Sequence, residues 1–125
     1  MTIAQSLGAF TRPEEHDISP LYVFFDVRNA GEIGVEISRL YVMPKGGAGP
    51  AYEGAFEGDL SLPFTLGPGE SARLWVRAKT LARALEGAGY GGRPRVDLVV
   101  EDTSGDAHRT GFRFRVDEYL NLKDE

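Results

Sequence analysis

The sequence predicts an all-β domain, an antiparallel β-sandwich of about seven strands with one short helix between the fifth and sixth. Three observations lead there. Short runs rich in β-branched and aromatic residues recur at steady spacing, separated by turn residues. Sixteen glycines and seven prolines in 125 residues demand many turns, which suits a sheet protein better than a bundle. Only one stretch, KTLARALEGAG, carries a convincing helical repeat with a stop behind it.

The elements follow in order. Ile3, Leu7 and Phe10 sit at i, i+4 and i+7, a spacing that fits a short amphipathic helix; an edge strand across Leu7 to Thr11 fits as well. RPEEHDISP reads as loop. In LYVFFDVRNAG, Val23, Phe25 and Val27 share one face of a strand, with Tyr22, Phe24, Asp26 and Arg28 on the other. An Asn-Ala-Gly turn ends it. IGVEISRLYVMP alternates through Val35 and Ile37, loses phase at Ser38 and Arg39, and resumes with Leu40 and Val42. A one-residue phase shift inside a strand is what a β-bulge produces.

A Gly-rich loop comes next, with a short strand around Tyr52 to Phe56, then LPFTL as another. GPGE turns the chain into SARLWVRA, where Ala72, Leu74 and Val76 oppose Arg73, Trp75 and Arg77. Thr80 is the expected N-cap of the helix, Leu81, Ala82 and Leu85 its buried side, and Gly87 or Gly89 its stop. Two strands close the chain. PRVDLVVED points Val96, Leu98 and Val100 inward, and HRTGFRFRVDEYL points Phe112, Phe114 and Val116 inward. TSGD joins them as a hairpin.

Composition narrows the function. The length fits a single domain, 1–125, with residues 1–20 packing on or extending the sandwich. A hydrophobic share of 42% and a charged share of 26% are those of a soluble globule. A net charge of -5 argues against nucleic acid, whose binding rests on Lys and Arg neutralising phosphates. With no cysteine there is no disulfide, thiolate metal site or thiol nucleophile, and a reducing, cytoplasmic location is expected. The N-terminus lacks a basic start, and no run approaches the roughly 20 apolar residues of a membrane span.

The order VRNAG, strand, variable loop, LGPGESARLWV, short helix, PRVDLVVEDTSGDAHRTGFRFRV resembles the small bacterial immunoglobulin-like accessory domains. The resemblance runs from Leu21 to Val116. It implies a spacer, an adhesion module or a protein-binding module, with no catalytic residues to carry over. The Cys-Trp-Cys core of antibody domains is missing.

Motifs that suggest chemistry fail on context. GAGYGG, Gly87 to Gly92, matches a dinucleotide pattern by letter but follows a helix and precedes a strand, the reverse of what phosphate binding needs. DTSGDAH opens like a calcium loop with Asp102, Ser104 and Asp106, yet has Ala107 and Arg113 where Gly and a bidentate Glu belong. His16 and His108 lack metal-ligand spacing. None of the six serines sits in a G-x-S-x-G elbow, and neighbouring carboxylates such as Glu101 and Asp102 point apart on a strand. No catalytic residue, metal or cofactor is assigned.

What remains is a face. If LYVFFDV pairs beside SARLWVRA, then Tyr22, Phe24, Arg73, Trp75 and Arg77 share the outer side of one sheet. Three exposed aromatics flanked by arginines resemble binding hot spots in composition. The expected function is a non-enzymatic protein-binding or structural module, with a protein partner or a second copy on this face unless the N-terminal segment covers it. Two alternatives stand beside it: a phage virion component, decorating the capsid or associated with the tail, and a carbohydrate-binding module stacking sugars on Trp75, Tyr22 or Tyr90.

Overall fold

Alternation of side chains along each strand decides the layers. The computed structural model describes residues 1–9, 20–47, 49–53, 56–59 and 61–122. Its elements are β1 (Thr2–Gly8), β2 (Tyr22–Arg28), β3 (Val35–Pro44), β4 (Tyr52–Glu53), β5 (Glu57–Gly58), β6 (Phe64–Leu66), β7 (Ser71–Arg77), α1 (Ala78–Gly87), β8 (Arg95–Asp102), β9 (Ala107–Arg113) and α2 (Val116–Leu120). One sheet has the order β1-β2-β7-β5. The other runs β4-β3-β8-β9, with β6 pairing the start of β3, and every pairing is antiparallel.

The core lies between the sheets. Val23, Phe25, Val27, Leu74 and Val76 meet Ile37, Leu40, Val42, Val96, Leu98 and Val100, all buried. The Phe25 and Phe112 rings bridge the layers at 5.7 Å. Burial of such side chains, worth roughly 1.5–3 kcal/mol each, is the main force holding the sheets together. The register of β3 against β8 shifts between Ile37 and Arg39, where the sequence loses phase. That bulge keeps Ile37 and Leu40 on the same buried side.

Several expectations need correction. The described residues contain nine strands rather than about seven, and the helix α1 follows the seventh. The two extra strands are β1, which sequence spacing left open between helix and strand, and the two-residue β5, too short to show a period; β4 falls within the short strand expected around Tyr52 to Phe56. Phe10 lies outside the described residues, as do His16 and most of the loop before β2. Helix α1 begins at Ala78, with Arg77 as N-cap and no side-chain cap; Thr80 sits within its first turn. No Thr cap is needed because β7 runs straight into the helix and the Ala78 amide donates to the Leu21 carbonyl at 2.9 Å. The stop is Gly89. Its φ of +93° lets its amide reach Glu86 and the Tyr90 amide reach Leu85, both at 2.9 Å, which closes the helix end.

The last strand also ends early. β9 stops at Arg113, and Val116 opens α2 instead of continuing inward as strand. Phe114 is still buried, at 1% exposure, with its ring 4.8 Å from Tyr119. α2 packs on α1. Leu81, Ala82, Leu85, Phe114, Val116 and Tyr119 therefore close one end of the core as a small helical plug.

Candidate functional site: an aromatic and arginine face on one sheet

The register of β2 against β7 sets the site. Phe24 lies opposite Trp75, Tyr22 opposite Arg77, and Asp26 opposite Arg73. Residues directly opposite on antiparallel strands point to the same side. Because Val23, Phe25 and Val27 face the core, all five expected site residues fall on the outer face of this sheet. Phe24 is the hub. Its ring lies 6.1 Å from Tyr22 on one side and 6.1 Å from Trp75 on the other. The Arg73 guanidinium sits 5.3 Å from the Phe24 centroid, a cation–π contact.

Asp26 fixes that arginine. Arg73 donates from Nε to Oδ1 at 2.8 Å and from Nη2 to Oδ2 at 3.2 Å, a bidentate pair that raises the guanidinium pKa. Trp75 donates from Nε1 to Glu57 at 3.1 Å. The Arg73 amide donates to the Asp59 carboxylate at 3.2 Å. Glu57 and Asp59 were missed from the sequence. β5 is two residues long and lies in a Gly-rich loop, so no periodicity marks it.

The expected exposure is wrong in one respect. Phe24 is only 7% exposed, and Tyr22, Trp75 and Arg77 are half-buried. Neighbouring rings and the Arg73 guanidinium shield Phe24, and the chain at Gly8 passes close by: a Cβ added to Gly8 would lie 3.2 Å from the ring. The face thus presents ring edges and guanidinium groups around a buried centre. β1 does not cover it. It extends the sheet along the edge of β2, with Ala4, Ser6 and Gly8 on the outer side. Tyr90 sits elsewhere, past α1, its hydroxyl beside Gly47. The chemistry open to the β2/β7 face is stacking, cation–π contact and hydrogen-bond donation.

Polar clusters elsewhere read as internal structure. Arg39 on β3 pairs with Glu53 at 2.6 Å and Glu101 at 3.1 Å, and lies 4.5 Å from the Tyr41 centroid. Burial raises the Tyr41 hydroxyl pKa, and Glu101, which accepts its hydrogen bond at 3.2 Å, raises it further. Asp102 organises the β8–β9 hairpin. Its Oδ1 accepts from the Ser104 and Asp106 amides at 2.9 and 3.0 Å, and its Oδ2 lies 3.0 Å from His108 Nε2. The carboxylate that would open a calcium loop is thus committed to its own turn. Among the described residues no three His, Asp or Glu side chains gather as metal ligands. A shallow cleft of about 160 Å³ lies at one end of the second sheet, lined by Lys45, Arg95, Asp97 and Arg113 around Gly111.

Neither a protein-family model nor a curated protein sequence matches the chain. The structure itself places it as a small antiparallel two-sheet sandwich, and no helix among its described residues is long and apolar enough to cross a membrane.

Proposed function

We propose that the chain is a non-enzymatic, immunoglobulin-like protein-binding module whose working surface is the β2/β7 face. The strand order supports the family reading. With β1, β2, β5 and β7 as strands A, B, D and E, the first sheet has the order A-B-E-D; β3, β8 and β9 follow as C-F-G in the second. One observation supports the binding role above others: the register sets Phe24 against Trp75 and Tyr22 against Arg77 on one outer face. Trp, Tyr and Arg are the residues that concentrate binding energy at the centre of an interface. Here their packing around Phe24 is preformed, so little ordering entropy stands against binding.

The test is capture from a lysate of the native host with immobilised wild-type domain, Trp75→Ala, and Arg109→Ala on the opposite sheet as control. A protein retained by wild type and Arg109→Ala but lost from Trp75→Ala is then produced pure and titrated against all three. Loss of affinity confined to Trp75→Ala supports the reading. Equal binding by all three, with folding intact, removes this face from the function.

A further inference from the structure

The four sheet edges of the sandwich are not protected alike. An edge strand presents a row of unpaired N–H and C=O groups, and proteins blunt it by shortening it, charging it or placing proline in it. β5 ends one sheet with two residues, and β4 and β6 share the matching edge of the other with two and three. β9 carries His108, Arg109 and Arg113. β1 has none of these devices. It runs for seven residues, TIAQSLG, without charge or proline; among the described residues β2 is its only hydrogen-bonded strand, and β9 of the other sheet packs beside it. Leu7 on this strand is 46% exposed, one of few large apolar side chains left so open.

We infer that β1 is a self-pairing edge, where two copies of the chain join antiparallel to make one continuous sheet with Gln5 on the two-fold axis. A second copy is favoured over a foreign strand by self-complementarity. Across a two-fold axis each residue faces its own image or a fixed companion, and an uncharged strand meets no like charge there. The register follows from side-chain direction. Opposed residues share a face, and the core sides of both sheets must stay together.

Ile3, Gln5 and Leu7 pair with the core-facing Val27, Phe25 and Val23 of β2, so they belong to the inner side. Centring on Gln5 sets Leu7 against Ile3 of the second copy twice over, apolar against apolar. On the outer side it opposes Ala4 and Ser6, which are small enough to clash with nothing. Centring on Ser6 would set Leu7 against the polar Gln5, and centring on Ala4 would set it against Met1, which lies outside the strand and packs on the chain's own core. The edge is separate from the β2/β7 face, so the two readings fail independently.

The chain has no cysteine, which makes the test direct. Gln5→Cys supplies the only thiol, and under mild oxidation it should give a covalent dimer on a non-reducing gel, while Glu36→Cys on exposed β3 should not. Sedimentation of wild type across a concentration series should show mass rising from 13.7 kDa toward twice that value. Leu7→Lys should keep the circular dichroism and melting of the fold, because the site is half open, yet weaken dimerisation by at least ~10-fold, since two lysines would be buried against isoleucines. A wild-type monomer up to the solubility limit overturns the proposal. So does a dimer that Leu7→Lys leaves intact and Gln5→Cys fails to cross-link; if Trp75→Ala dissolves such a dimer, the contact is the β2/β7 face instead.

Discussion

Asn29 donates from Nδ2 to the carbonyl oxygen of Leu66 at 2.9 Å, across 37 residues of chain. The same amide group donates to Ile33 at 2.7 Å, and Oδ1 accepts from the Gly31 amide at 3.0 Å. Its backbone pairs with Glu70 and Gly69 of the Pro-Gly-Glu turn at 2.9 and 2.8 Å. The Asn-Ala-Gly turn and the Pro-Gly-Glu turn are therefore one hydrogen-bonded unit that ties the two sheets together at one end. Asn29 is 1% exposed and its bond to Leu66 is buried, so water does not reach that carbonyl in the native fold.

Replacing Asn29 should be costly for that reason. Asn29→Ala strands two carbonyls and an amide, and leaving a buried polar group unpaired costs ~1–3 kcal/mol. Asn29→Asp keeps the acceptor but sets a carboxylate against two carbonyl oxygens, so it should be no milder. Urea titration of both variants measures this, and a shift within a few tenths of a kcal/mol would show that the two turns stand alone.

Phe114 carries the second prediction. It sits outside any strand, yet it is buried against Tyr119 and Phe112, whose rings lie 4.8 and 6.3 Å away. Phe114→Ala should cost ~3–5 kcal/mol and loosen α2 from α1 together. Hydrogen exchange would report α2 amides opening with the rest of the core. An unperturbed denaturation midpoint would place the plug outside the cooperative unit.

How far the sequence revealed this fold depends on what each residue had to signal. Long strands with one buried face announced themselves: the period-two patterns of Leu74 and Val76 or Leu98 and Val100 gave their strands, and the lost phase at Ser38 gave the bulge. β5 could not be seen, because its one residue on the inner side, opposite Leu74, is glycine and two residues carry no period. α2 was hidden because Phe112, Phe114 and Val116 continue the alternation of β9 even though the chain turns away after Arg113. For the face, alternation placed the five residues correctly, but burial of Phe24 depends on the neighbouring rings and guanidinium, which no single-strand pattern encodes.

The β8–β9 hairpin should be acid-sensitive. The hydrogen bond from His108, and then the Asp106 and Ser104 amides, hold the Asp102 carboxyl below its usual range. A carboxylate more acidic when folded stabilises the fold above its unfolded pKa, about 3.9, and that stabilisation fades as pH falls through the lower folded value. Melting temperatures of wild type and Asp102→Asn should thus converge as pH drops below ~4, with wild type ahead at higher pH. A gap that stays constant down the acid range would rule out this linkage.

Arg95 on β8 stands directly opposite Arg113 on β9, and both line the cleft they share with Lys45 and Asp97 at one end of the sheet. Like charges facing each other across a pair of strands are unfavourable. Arg113→Glu converts repulsion into attraction and should stabilise the domain by ~0.2–1 kcal/mol, less at high salt. Loss of stability on this change would mean that the guanidinium makes a contact worth more than the repulsion.

Gly58 decides whether β5 belongs to the sheet at all. Its φ of +130° is open to glycine almost alone, and a Cβ there would collide with the Arg73 carbonyl oxygen and lie 2.8 Å from the Leu74 Cα. Neither atom can yield without breaking the β5–β7 pairing. Because β5 is a two-residue edge, Gly58→Ala should detach it rather than unfold the domain, at a cost of ~1–3 kcal/mol. Glu57 would leave with it, taking away the acceptor of the Trp75 indole. Trp75 is the only tryptophan in the chain, so its emission reads this one site. The native variant should emit further to the red than wild type, with its global unfolding still cooperative. Emission and stability both unchanged would show that β5 does not pair where Glu57 meets Trp75.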